Sequence, residues 1–520
     1  MTPGSAFPWL SMVVFAPLVA AFVLLFVPSR SRAAVRVVAV LSTLVSLAGT
    51  LRVMAGYDLS RGGYQFLEDY PLVPSVGIHL SLGVDGWGVS LLLLTSLILF
   101  AGTFATWTLT RRDKEFYILL LALVAGVFGV FVSRDLFVFF LFYELAVLPM
   151  YLLIGIWGSS KKVADAGPFR FLWKALDIGG KEYAAMKLTL MLLIGSAFIL
   201  AGILAMYWNA GAHSFDIEVL GHQGYPRSMQ LWAFPALWLG FGTLGGVFPF
   251  HTWSPDGHAS APTAVSMLHA GVLMKLGAFG VIRIGMVMLP EGAQAWVWLV
   301  GAVAVINIVY GAMSAMSQTD LKYIVAYSSV SHMGVVMLGA ATLQVEGWNG
   351  AIYQMFAHGL MTGLFFALVG LVYERAHDRE IFGMGGFARV MPAVAVFFTL
   401  GCLSSLGLPG LAGFVAEFLV FLGAWESGHP IWALAGILGA FITAIYVLRA
   451  VRAIFWGQGP PERFHELSDA RGTEWVALVS LGLGLLVFGF APKLILDFID
   501  VSTVSYLDQV VGHALAVGGH

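Results

Sequence analysis

Long apolar runs alternate with short polar breaks from one end of the chain to the other. Runs of roughly 17–25 residues suit helices that cross a bilayer. They fall near 9–28, 34–54, 86–110, 116–133, 135–157, 186–208, 231–250, 264–288, 296–316, 322–341, 349–373, 391–425, 430–450 and 474–491. This predicts an all-α polytopic membrane protein of about 14 transmembrane helices, forming a single integral membrane domain over residues 1–520. Two of the runs are broken. Between Leu244 and Arg283, Pro249, Pro255 and Pro262 remove backbone donors, which predicts helical pieces joined by irregular backbone. In hydrocarbon such backbone survives only where it is buried in protein or lines a wet cavity. The second break is Gly407-Leu408-Pro409-Gly410, within 391–425. Paired interrupted spans in two halves point to a transporter with inverted repeats.

Composition narrows the class. The chain is 59% hydrophobic and only 11% charged, against about 25% charged in soluble domains. A net charge of −2 leaves no basic surface for nucleic acid. The single cysteine, Cys402, excludes an internal disulfide, a cysteine zinc site and an iron–sulfur cluster, so redox chemistry belongs to other chains. No metal site and no cofactor site are expected here, and no nucleotide-binding motif is present. Most Lys and Arg fall in alternate loops, which predicts both termini on the outside face. No basic stretch precedes the first apolar run, so it reads as a retained span. Residues 158–185 read as an inside surface loop with one short helix near 169–176, and 56–84 as a segment lying along the membrane surface.

A few ionisable residues lie inside the apolar runs, where each is costly and marks a functional position by default. Glu144 sits mid-span in FFLFYELAVLPMYLL, with Pro149 five residues on; its work is either proton gain and loss or a structural hydrogen bond. Lys275 is too far from either end of its run to snorkel easily. Ser328, Ser329 and His332 share one helix face, and Gln354, His358 and Thr362 form a second stripe at i, i+4 spacing; such stripes suit water-filled proton relays, with satisfied helix–helix contacts as the alternative reading of each histidine. Glu417 follows the second break. Lys322 reads equally as an inside-end charge or as the mouth of a relay, and His251, Asp256 and His258 read as a polar cavity lining rather than a metal site.

FYELAVLPM, PFHTWSPDGHASAPT, LMKLGAFGVIR, QTDLKYIVAYSSVSHMG and GLPGLAGFVAEF together resemble the antiporter-like subunits of NADH:quinone oxidoreductase, respiratory complex I. The acid at 417 resembles the chain M, subunit 4 type. The resemblance implies two inverted five-helix repeats, near 116–288 and 296–450, in a bacterial inner membrane. It implies proton translocation through Glu144, Lys275, His332, His358 and Glu417, coupled to quinone reduction in partner subunits that use NADH and quinone. Neighbouring antiporter-like subunits and the lipid bilayer would be its partners. One position departs: the lysine that precedes the Pro-x-His motif by about five residues in the family is Leu244 here. The alternatives are a subunit of a cation/proton antiporter or membrane-bound hydrogenase, and a structural spacer whose proton path Leu244 disables.

Overall fold

The computed structural model describes residues 7–160, 179–211, 213–457 and 459–517. In chain order the main elements are α1 Trp9–Phe26, α2 Arg32–Gly56, β1 Gln65–Val73, β2 Ile78–Val84, α3 Gly86–Ala105, α4 Asp113–Val132, α5 Leu136–Trp157 and α6 Lys181–Ala210. There follow α7 Arg227–Gly245, α8 Trp253–Ser260, α9 Thr263–Met286, α10 Pro290–Ser317, α11 Leu321–Ala341 and α12 Val345–Ala376. The last five are α13 Pro392–Ser405, α14 Ala412–Glu426, α15 Pro430–Phe455, α16 Glu474–Phe490 and α17 Lys493–Val517.

Among the described residues, 11 helices are long and apolar enough to cross a membrane, or 12 with the bent pair α16–α17 taken as one span. The expected count of 14 is therefore not reached on length and apolarity alone. The shortfall lies where backbone is broken or bent: α7 stops at Gly245, the run 391–425 divides into α13 and α14, and α17 leaves α16 at 67°. Within the 56–84 segment, residues 65–84 form an antiparallel hairpin that pairs Gln65↔Val84 through Val73↔Ile78, with register shifts between Gln65 and Glu68 and between Pro71 and Val73. The short helix expected near 169–176 lies outside the described residues.

Burial sorts the helices into layers. The apolar windows of α9 and α12 are 100% buried and that of α11 is 94%, whereas α1 is 39% buried and leaves the rest on the outside of the bundle. These three inner helices carry Lys275, His332 and His358. Close packing depends on missing side chains: a Cβ on Gly277, two residues beyond Lys275, would collide with the backbone of Phe241 and Gly245 on α7. Backbone-to-backbone approach of this kind replaces the hydrophobic drive that lipid cannot supply.

Aspartates start three of the helices. Asp85, Asp135 and Asp320 each accept backbone N–H bonds from the first turn of α3, α5 and α11, a cap worth about 0.5–2 kcal/mol. Asp135 and Asp320 are built alike, each preceding a leucine and each pairing through an isolated bridge, with Asp216 and Glu380 respectively.

Both breaks open on a glycine at φ 72°, Gly246 and Gly407. The first is stitched by side chains that stand in for the lost helical partners. Asn307 on α10 accepts the Phe248 N–H at 2.8 Å and donates to Val330 O on α11 at 2.9 Å. The Trp253 indole donates to Thr243 O at 2.9 Å, and Lys322 Nζ to Ala261 O at 2.8 Å. Pro255 lies within α8 rather than at a break, because a proline in the first turn sacrifices no helical hydrogen bond.

Candidate functional site

The 264–288 run looks like one helix in sequence but contains two π-turns, His269–Leu273 and Val281–Met286, flanking a seven-residue α segment that holds Lys275. Such turns interrupt the ordinary ladder and recur at functional positions. Lys275 is fully buried. Its ammonium donates to the carbonyl of Ala270, inside the first π-turn, and lies 2.6 Å from His358 Nδ1 on α12. Neither partner carries a fixed negative charge.

From His358 the polar groups continue laterally. The rings of His358 and His332 have centroids 5.1 Å apart. His332 Nδ1 lies 3.3 Å from Glu417 Oε1 and 3.1 Å from the Gln354 amide nitrogen, and its Nε2 is 3.2 Å from Ser405 Oγ. Nδ1 therefore faces an amide donor and a carboxyl group at once. A protonated Glu417 donates to a bare Nδ1; once the proton has moved to the ring, the same atom donates back to the carboxylate. The Gln354 oxygen has no partner, so an end-for-end turn of that amide would present an acceptor when the ring holds the proton. Glu417 comes this close because Gly407 has no side chain: a Cβ there would lie 2.8 Å from Glu417 Oε2.

Four of the five residues expected from sequence are thus gathered into one file, Lys275–His358–His332–Glu417, that crosses α9, α12, α11 and α14. Glu144 is not part of it. One carboxyl oxygen of Glu144 has no hydrogen-bond partner, and among the described residues it has no ion pair. Leu244 is fully buried in the apolar core. The stripes are also narrower than their spacing suggests. Ser328 and Ser329 both bond to Val325 O, and Thr362 to His358 O, so these hydroxyls satisfy their own helices. Beside the two histidines, Gln354 is the stripe member that touches the file.

Sequence reading missed an ion pair at the first break. Lys187 on α6 lies 2.7 Å from Asp256 Oδ2 on α8, and Tyr323 on α11 donates to Asp256 Oδ1 at 3.0 Å. A lysine seven residues into a 30-residue apolar helix was the available signal. His258 packs against His269 with ring centroids 4.0 Å apart.

Discontinuous helices wrapped around a buried file of lysine, histidines and a carboxylate define a polytopic membrane protein of the broken-helix, ion-translocating class. The sequence matches the profile of the "NADH:quinone oxidoreductase/Mrp antiporter, TM" family over residues 133–180 and 178–443. The chain belongs to this family. It is 39% identical over 520 residues to "NAD(P)H-quinone oxidoreductase chain 4 1" of Synechococcus sp. (strain JA-3-3Ab), covering 98% of this chain and 95% of that one. It is 37% identical over 522 residues to "NAD(P)H-quinone oxidoreductase chain 4 2" of Thermosynechococcus vestitus, covering 99% and 94%. A chain of respiratory complex I from Thermus thermophilus superposes with a TM-score of 0.84 at 29% identity, covering 96% of this chain and 99% of that one. The Mrp complex from Dietzia sp. shares the fold at a TM-score of 0.82 and 20% identity, covering 96% and 98%.

Proposed function

We propose that this chain is a proton-translocating membrane subunit of a complex I-type NADH:quinone oxidoreductase, of the subunit 4 kind. The observation that carries the proposal is the continuous file Lys275–His358–His332–Glu417. Every member can hold or release a proton, and each is buried away from competing water. Lys275 is the storage group: its ammonium gives a proton to His358, the two imidazoles pass it on by exchanging donor and acceptor roles, and Glu417 receives it beside the second break. Moving one charge against the membrane potential costs about 2.3 kcal/mol per 100 mV. This chain offers no redox centre of its own in the proposal, so partner subunits that oxidise NADH and reduce quinone supply that energy. The family and the bacterial relatives support a bacterial inner membrane, and the Lys/Arg bias of the loops supports both termini on the outside face.

The test is the proton-to-electron ratio of the reconstituted complex. Lys275→Ala and Glu417→Gln should each lower it while NADH oxidation continues; an unchanged ratio in both overturns the proposal. The fold shared with the Mrp complex favours a second reading, a subunit of a cation/proton antiporter. Mass spectrometry of the co-purified subunits separates the two, since NADH- and flavin-binding companions belong only to the first.

A further inference from the structure

Granting that the chain translocates protons, we infer that they reach Lys275 through an inlet made of Lys187, Asp256, Tyr323 and the His258–His269 pair, and that Glu144 stands outside the path.

Exposure is graded along these groups. The side chains of Lys187 and Asp256 are 23% and 27% exposed, whereas His258 and Lys275 are at 0% and His269 at 1%. The ion pair therefore opens to the outside of the chain and the lysine does not. Asp256 sits on α8, the short piece between the two irregular stretches, where breaks in the backbone line a polar interior rather than lipid. Its two carboxylate oxygens are held by groups from opposite sides, Lys187 of α6 and Tyr323 of α11. When Asp256 takes up a proton, its attraction for the Lys187 ammonium falls, so the uptake and the loosening of α6 from α11 are one event.

Two histidines follow Asp256 in the chain, His258 on α8 and His269 at the start of the π-turn before Lys275. All four of their ring nitrogens lack a hydrogen-bond partner in the protein, although both rings are buried. Buried polar atoms in native proteins find partners; here internal water and a proton in transit are the partners that fit. His258 is within electrostatic reach of Lys275 and Lys322. His269 opens the π-turn whose Ala270 carbonyl receives the Lys275 ammonium. The approach is permitted by Gly257, where a Cβ would lie 3.0 Å from Leu188 Cδ1 and 3.3 Å from His269 Cε1. The step balances as proton transfer alone: Asp256 gains a proton from the aqueous side, passes it through the imidazoles, and the neutral Lys275 amine accepts it.

On the other side, among the described residues no ion pair connects Glu144 with this route. Leu244, at the end of α7, is a buried apolar side chain, and Lys187 has its own carboxylate.

The experiment compares variants in the assembled complex reconstituted in proteoliposomes, reading the proton-to-electron ratio, the NADH–quinone rate and subunit content together. Asp256→Asn and the double variant His258→Phe/His269→Phe should lower the ratio as far as Lys275→Ala does, and Asp256→Glu should restore it. Glu144→Gln should leave the ratio unchanged, and Leu244→Lys should add nothing to it. If Glu144→Gln lowers the ratio as much as Lys275→Ala, the inlet is wrong. If Lys275→Ala lowers it and Asp256→Asn, in fully assembled complex, does not, the inlet falls and the proposed function stands. If Asp256→Asn prevents assembly, Tyr323→Phe replaces it as the probe, and a ratio unchanged by Tyr323→Phe overturns the inlet. If neither Lys275→Ala nor Glu417→Gln has an effect, the function itself falls first.

Discussion

Lys275→Arg separates charge from chemistry at a single residue. A guanidinium keeps the positive charge beside His358 but does not release a proton at any physiological pH. Proton translocation should therefore be lost as completely as in Lys275→Ala, with assembly preserved; a pumping arginine variant would show that the site needs only a charge. A second buried pair has a different task. Asp85 and Arg283, with side chains 3% and 4% exposed, lie 3.4 Å apart, and Tyr506 donates to the same carboxylate at 2.7 Å. Arg283 also lies over the Tyr506 ring, 4.0 Å from its centroid. Removing one partner of a buried ion pair leaves the other uncompensated, at a cost of about 3–5 kcal/mol. Arg283→Leu should lower the thermal stability of the purified complex accordingly, and Asp85→Asn/Arg283→Leu together should recover part of the loss. The composition of the 264–288 run made Lys275 legible, but the partners of Arg283 come from segments some 200 residues away on either side and could not be read from spacing.

Among the elements, the two breaks show how local sequence sets geometry at a distance. Gly407 adopts φ 72°, a conformation that costs a residue with a Cβ roughly 1–2 kcal/mol, and that Cβ would press on Glu417 Oε2. Gly407→Ala should therefore damage proton translocation more than stability, by moving the carboxylate off His332; the readout is the proton-to-electron ratio beside the melting temperature. Both breaks were foreseeable, since Pro and Gly act on the backbone of their own neighbourhood. The π-turns around Lys275 were not. Nothing in HAGVL or VIRIGM distinguishes them from ordinary helix, and it is the buried packing of α9 against α7 and α12 that holds the widened turns.

Across the whole molecule, α17 acts as a clasp. Ser502 Oγ accepts the Gly86 N–H at 2.9 Å, and the Trp87 indole donates to Thr503 Oγ1 at 3.0 Å. Asn349 on α12 donates to Asp500 at 2.6 Å, and Gln294 on α10 to Val510 O at 2.8 Å. One helix thus gathers α3, α10 and α12 through polar groups that are partly or wholly buried. Ending the chain after Phe490 should leave these groups unpaired, at about 1–3 kcal/mol for each one that stays buried, and reduce the amount of chain recovered in the assembled complex. Normal recovery and melting temperature would show that the clasp is dispensable. The last predicted span ends at 491, short of α17, and the contacts of α17 with α3 join residues more than 400 positions apart.

The sequence by itself determined the solvent of this protein, most of its spans, both of its breaks, and which ionisable residues are too costly to be incidental. Those are properties of composition and of backbone within a few residues, where the physics is local. Only the tertiary structure decided which of those residues meet. It joined Lys275, His358, His332 and Glu417 across four helices, left Glu144 apart, turned Ser328, Ser329 and Thr362 back onto their own backbones, and paired Lys187 with Asp256. Helical periodicity assigns a side chain to a face, but the rotation of each helix and the neighbour it faces are fixed by packing of the whole bundle, and proton transfer depends on those last few ångströms.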